Sequence, residues 1–110
     1  MKEIRRLQDM LAAINSTEGY AVSSYDEFLA DVKTQDAVMF NLVIPGEAAY
    51  HITQEFKEQF PSIAWASVIG TRNVIIHGYD QIKLPIVWEI VQHDLKTLKE
   101  QIKLAIEVLR

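Results

Sequence analysis

Apolar residues recur along this chain at spacings of three and four, the period of helices that bury one face. Ile4, Leu7, Leu11 and Ile14 form such a stripe from Lys2 to about Asn15, with Arg5, Arg6 and Asp9 off it. Asn15-Ser16-Thr17-Glu18-Gly19 then reads as a break, because these residues favour caps and turns. A short second helix is expected from Ser24, where Ser24-Tyr25-Asp26-Glu27 has capping-box spacing and Phe28 and Leu29 supply an apolar side. Thr34 or Asp36 would cap a third helix reaching about Phe60, with the stripe Val38, Leu42, Pro45, Ala49, Ile52, Phe56 and Phe60. Pro45 removes an N–H and clashes with the preceding turn, which predicts a kink there or two helices.

The fourth element puts Trp65, Val68, Ile69, Arg72, Ile75, Ile76 and Tyr79 on one helical face. A guanidinium on that otherwise apolar stripe is the first anomaly in the chain. Pro85 opens the last helix, where Trp88, Val91, Leu95, Leu98, Ile102, Ala105 and Leu109 keep a heptad seam for about six turns. Long stripes joined by short turns imply an all-α, up-and-down bundle of four to five helices in one domain, residues 1–110.

Composition narrows the class. The residues are 49% hydrophobic and 24% charged, with only four glycines and three prolines, which favours long regular elements. The absence of cysteine excludes disulfides, thiolate metal sites and a cysteine nucleophile, and it suits the cytoplasm. No apolar run approaches the ~18 residues of a membrane span, so no membrane association is expected. A formal charge of −4 argues against a general nucleic-acid binder, though not against a small site with local cations.

Candidate chemistry concentrates in Arg72-Asn73-Val74-Ile75-Ile76-His77-Gly78-Tyr79. Histidine moves protons near neutral pH, and arginine clamps a phosphate and stabilises the charge that builds on it. Phosphodiester cleavage could use both, and it needs no metal or cofactor if a ribose 2′-hydroxyl is the nucleophile. Helical geometry separates them, however. Positions five apart differ by about 140° in azimuth and positions seven apart by only about 20°. Arg72 and Tyr79 should therefore share a face while His77 points elsewhere, and the spacing alone also fits a solvated or core-held histidine.

The segment resembles the R-x-x-x-x-H-x-Y signature of HepT-like toxins of the HEPN superfamily, including the polar Asn73 directly after the arginine. The likeness covers nearly the whole chain. It runs through Thr34-Gln35-Asp36-Ala37-Val38, Asn41-Leu42, Gly46-Glu47-Ala48-Ala49, Pro61-x-Ile63-x-Trp65 and Ile69-Gly70-x-Arg72-Asn73. It continues through Val87-Trp88-Glu89 and Asp94-Leu95-x-x-Leu98-Lys99-x-Gln101-Ile102. The resemblance implies a homodimer whose two motifs line one cleft, cutting RNA without metal through Arg72 and His77. It further implies a neighbouring nucleotidyltransferase antitoxin, which silences some members by transferring AMP to the motif tyrosine, here Tyr79; substrate contact and plain interface packing are the other readings of that residue. Asn73 would orient Arg72 or a phosphate. Pro45, in place of an aliphatic residue, and Lys83, in place of an acidic or amide one, depart from the family pattern.

The rival function is a non-catalytic helical module that binds nucleotide or supports a separate nucleotidyltransferase. A dimerisation domain built on the Trp88–Leu109 seam is a third. Glu47 reads as an exposed helix glutamate, although it could pair with Arg72 across the bundle. His51 and His93 read as solvated, since Glu47-x-x-x-His51 alone is too little for a zinc site. Trp65 and Trp88 read as core or interface.

Overall fold

The apolar stripes fold as helices with their apolar residues turned mostly inward, in a computed structural model that describes residues 2–20 and 22–110. There is no strand among the described residues, as the all-α expectation requires. Helix α1 spans Lys2–Gly19 and buries Leu7, Met10, Ala13 and Ile14. It does not stop at Asn15. Thr17 is buried and its hydroxyl donates to the Ala13 carbonyl at 2.9 Å, while Glu18 accepts from Lys99 at 2.7 Å. Tertiary partners thus override the turn preference of these residues.

Helix α2 spans Tyr25–Ala30, capped by Ser24, whose side chain accepts from the Glu27 N–H at 3.2 Å. The returning half of the expected capping box is displaced by one residue, with Glu27 accepting from the backbone and hydroxyl of Ser23. Phe28 is buried and packs on Trp88 at 5.5 Å between ring centroids. Gln35 closes the end of α2, donating to the carbonyls of Phe28 and Leu29.

Helix α3 spans Val32–Tyr50. Its cap is Asp31 rather than Thr34 or Asp36, because the Asp31 carboxylate accepts from both the N–H and the hydroxyl of Thr34. Pro45 lies buried inside α3 and does not divide it. The division falls instead at residues 51–53, after which Thr53 caps α4, Gln54–Gln59, through the Phe56 N–H. Ile52 is buried within the break, so the apolar stripe continues although the helix does not.

Helix α5 spans Trp65–His77. The Trp65 indole N–H donates to the carbonyls of Lys57 and Phe60, fastening the start of α5 to the end of α4. The helix ends at Gly78, and Tyr79–Gln81 forms a short 3-10 turn. Tyr79 is therefore off the α5 face to which its spacing assigned it. The last helical run comprises α6, Leu84–Glu89, and α7, Leu95–Leu109, joined by one π turn over Ile90–Asp94. Along the expected seam, Leu95, Leu98, Ile102 and Ala105 are buried.

The core forms where α3 packs on both α1 and α5 and α7 closes against α1. No helix among the described residues is long and apolar enough to cross a membrane.

The α3–α5 contact is close enough to require a glycine. A Cβ on Gly46 would collide with the Cβ of Arg72 and lie 2.8 Å from the Val68 carbonyl oxygen. Gly46→Ala should therefore push the helices apart, costing about 1–3 kcal/mol as small-to-large changes in packed contacts do. Thermal circular dichroism should show Tm lowered by roughly 4–8 °C per kcal/mol. An unchanged Tm would mean that the two helices part freely at this point.

Candidate active site

Arg72 occupies the middle of α5 and faces α3, where Gly46 lets the backbones approach and Glu47, the next residue, brings a carboxylate across. Arg72 donates from Nε to Glu47 Oε2 at 3.0 Å, and Nη2 lies 2.9 Å from the same oxygen. Nη1 donates to Asn73 Oδ1 at 2.7 Å. The guanidinium carbon sits 5.2 Å from the centre of the Tyr50 ring, a cation–π distance. A guanidinium has five N–H groups in a rigid fork. Glu47 and Asn73 engage three of them, leaving two free, one on each terminal nitrogen. The side chain is 19% exposed, so it is neither buried in the core nor loose in water.

Glu47 is thus not the plain exposed glutamate that its sequence position suggested. Its second oxygen meets His51 Nε2 at 3.0 Å, so one carboxylate joins residues from two helices. The hydrogen bond from His51, then that from Arg72, holds the Glu47 carboxyl below the ordinary carboxylate range, against a smaller opposing effect of burial. His51 is exposed as expected, yet it is engaged by Glu47 and sits edge-on to Tyr50 at 5.3 Å. His93 is exposed, 3.3 Å from Glu89 on the same helical run. Among the described residues, no three His, Asp or Glu side chains gather as metal ligands would.

His77 is the last residue of α5 and is exposed. Five residues beyond Arg72, it points about 140° away around the helix. A single chain does not bring the two onto one face. Tyr79, on the 3-10 turn, donates its hydroxyl to Asp36 Oδ1 at 3.3 Å. The pairs Glu47–Arg72 and Asp36–Tyr79 show α3 and α5 to be antiparallel. Eleven residues of helix separate Asp36 from Glu47, about 16 Å, so the Tyr79 hydroxyl and the Arg72 guanidinium are fixed at distant points of α3.

Asp36, Phe40, Glu47, Tyr50 and His51 fall within about 100° of arc on α3 and form one strip beside α5. Tyr50 and Asp36 escaped the sequence reading as site residues. For Tyr50 the signal was present, since Glu47, Tyr50 and His51 stand at helical neighbour spacing. For Asp36 there was none, because its contact spans 43 residues of sequence. The strip is open surface. A separate cavity of about 330 Å³, floored by Leu42, Pro45, Val68 and Leu98, contains none of Arg72, His77 or Tyr79.

Comparison with known proteins gives the family. The family described as Ribonuclease HepT-like matches residues 4–105. A protein of Methanocaldococcus jannaschii named as an RNase is 32% identical over 99 residues, covering 89% of this chain and 91% of that one. A protein of Thermococcus cleftensis named as a ribonuclease HepT is 35% identical over 94 residues, covering 84% of this chain and 86% of its own. No solved structure matches significantly. The chain belongs to the HepT-like ribonuclease family.

Proposed function

We propose that this chain is a metal-independent endoribonuclease, the toxin of a pair whose antitoxin is a small nucleotidyltransferase, and that Arg72 and His77 are its catalytic residues. The observation that carries the proposal is the state of Arg72: fixed by Glu47, Asn73 and Tyr50, with two N–H groups left without a partner among the described residues. A guanidinium held in advance costs no reorganisation when charge builds on a phosphate. The two open N–H groups would bind the non-bridging oxygens. The ribose 2′-oxygen then bonds to phosphorus, giving up its proton to a base, while the bond to the 5′-oxygen breaks and that oxygen takes a proton. Histidine serves either transfer, and His77 is exposed for it. With the nucleophile carried by the RNA itself, Arg72 and His77 supply the charge and the proton that the step requires.

The separation of Arg72 from His77 around α5 supports a site shared by two subunits, one copy supplying the phosphate clamp and the other the imidazole. Phe40, 68% exposed two turns before Glu47 on the same face of α3, and the exposed Ile76 on α5 offer an apolar surface for such a contact. Light scattering at micromolar concentration should give a dimer. A clean monomer of 12.6 kDa would count against the shared site.

Cleavage should survive EDTA and leave a 2′,3′-cyclic phosphate or its hydrolysis product. His77→Ala should lose most of the roughly 10²–10⁴-fold contributed by a positioned acid–base group, and Arg72→Ala a comparable amount. Activity that vanishes with chelator and returns with magnesium would refute the acid–base role of His77.

Tyr79 is proposed as the acceptor of AMP from the antitoxin. Its ring is 60% exposed, and a bulky anion there would obstruct the strip along α3. Tyr79→Phe keeps the ring and loses the acceptor oxygen. It should cut RNA nearly as well as the parent and stay active when the nucleotidyltransferase and ATP are added. Equal silencing of both proteins would remove Tyr79 as the acceptor.

A further inference from the structure

Arg72 shares its charge with a carboxylate, since both of its contacts to Glu47 are at 3.0 Å or less. The chain as a whole carries −4. A second cation beside Arg72 would strengthen the hold on a phosphodiester, and the Glu47 carboxylate already holds one candidate. His51 Nε2 lies 3.0 Å from Glu47 Oε1, the oxygen that Arg72 does not use. The other ring nitrogen, Nδ1, is not used in that contact, and a charged imidazole donates from both nitrogens. Then two cations flank one carboxylate, and the cluster is net positive.

We propose that His51 is a second phosphate-contacting residue for RNA, coupled to Arg72 through Glu47. The inference rests on the reading that Arg72 meets a phosphate. Three features of the geometry support it. His51 is 48% exposed and Arg72 19%, and the two contact different oxygens of the one Glu47 carboxylate. Tyr50 contacts both, with its ring centre 5.2 Å from the guanidinium carbon and its ring edge-on to the imidazole at 5.3 Å. The charged group in contact with His51 is Glu47 in the last turn of α3, and across that carboxylate stands Arg72 on α5. A strand held at Arg72 and continuing along α3 would meet His51 at a neighbouring phosphate. His51 thus adds affinity and direction to the bound strand, and the proton transfers stay with His77.

The test is equilibrium binding of a fluorescein-labelled, fully 2′-O-methylated single-stranded oligoribonucleotide, which lacks the nucleophile and stays intact. Anisotropy is followed across a sodium chloride series at pH 5.5, below the ordinary imidazole value of about 6.5. Each single-strand phosphate contact contributes about 0.7 to the slope of log affinity against log salt. His51→Ala should lower that slope by about 0.7 for each copy that touches the strand and weaken binding roughly tenfold. His51→Arg should restore both, which a merely structural role would not allow. His51→Gln keeps a donor for Glu47 without charge, and it should behave like His51→Ala even if the alanine protein fails to fold. A lowered slope in Arg72→Ala with an unchanged one in both His51→Ala and His51→Gln would overturn the role of His51 alone. An unchanged slope in Arg72→Ala would overturn the phosphate reading of Arg72, and this inference with it.

Discussion

The site depends on how closely α3 approaches α5 at Gly46. A permanent cation in the middle of an apolar helical face is expensive to bury and, left free, serves no geometry. Here the missing Cβ lets the helices close until the next residue, Glu47, reaches across to the guanidinium. What α3 contributes to Arg72 follows from that approach: the two contacts to one carboxylate oxygen and the Tyr50 ring beneath it, while the Asn73 amide beside it comes from α5 itself. The same carboxylate carries His51, so one close backbone contact positions the side chains of a whole surface cluster. A charge fixed in this way has little freedom left to lose on meeting an anion.

Much of the fold was legible because periodicity records which face of a helix is dry. The α7 stripe is the clearest instance: Leu95, Leu98, Ile102 and Ala105 are buried where the heptad placed them. Periodicity is blind to a break that preserves phase. Ala49, Ile52 and Phe56 keep the three–four spacing across residues 51–53, so α3 and α4 looked like one helix. Thr53, which caps α4, was the overlooked signal. Of the two outcomes expected at Pro45, the division does not occur, since α3 runs on through it to Tyr50.

The motif itself was readable as chemistry but not as geometry. Spacing assigned Arg72 and Tyr79 to one face, which holds only while the helix continues, and α5 ends at Gly78. Partners across the bundle leave no trace in a single helix's period. Glu47 stands 25 residues before Arg72, and nothing in either segment alone names the other. The end of α1 errs in the opposite direction, since Thr17 and Glu18 have turn-like preferences that buried bonding and Lys99 outweigh.

The hydroxyl of Tyr79 has a structural duty beyond being a place where chemistry can occur. It is the donor that ties the turn after α5 to Asp36 near the start of α3. An oxygen that has become an ester has no hydrogen left to give, and a phosphoryl group in its place would stand opposite a carboxylate. Esterification at this atom would therefore cut a tether and install a repulsion in the same event. The turn would be released from α3, and the change would be felt in the backbone that follows His77 as well as at the surface where the new group sits.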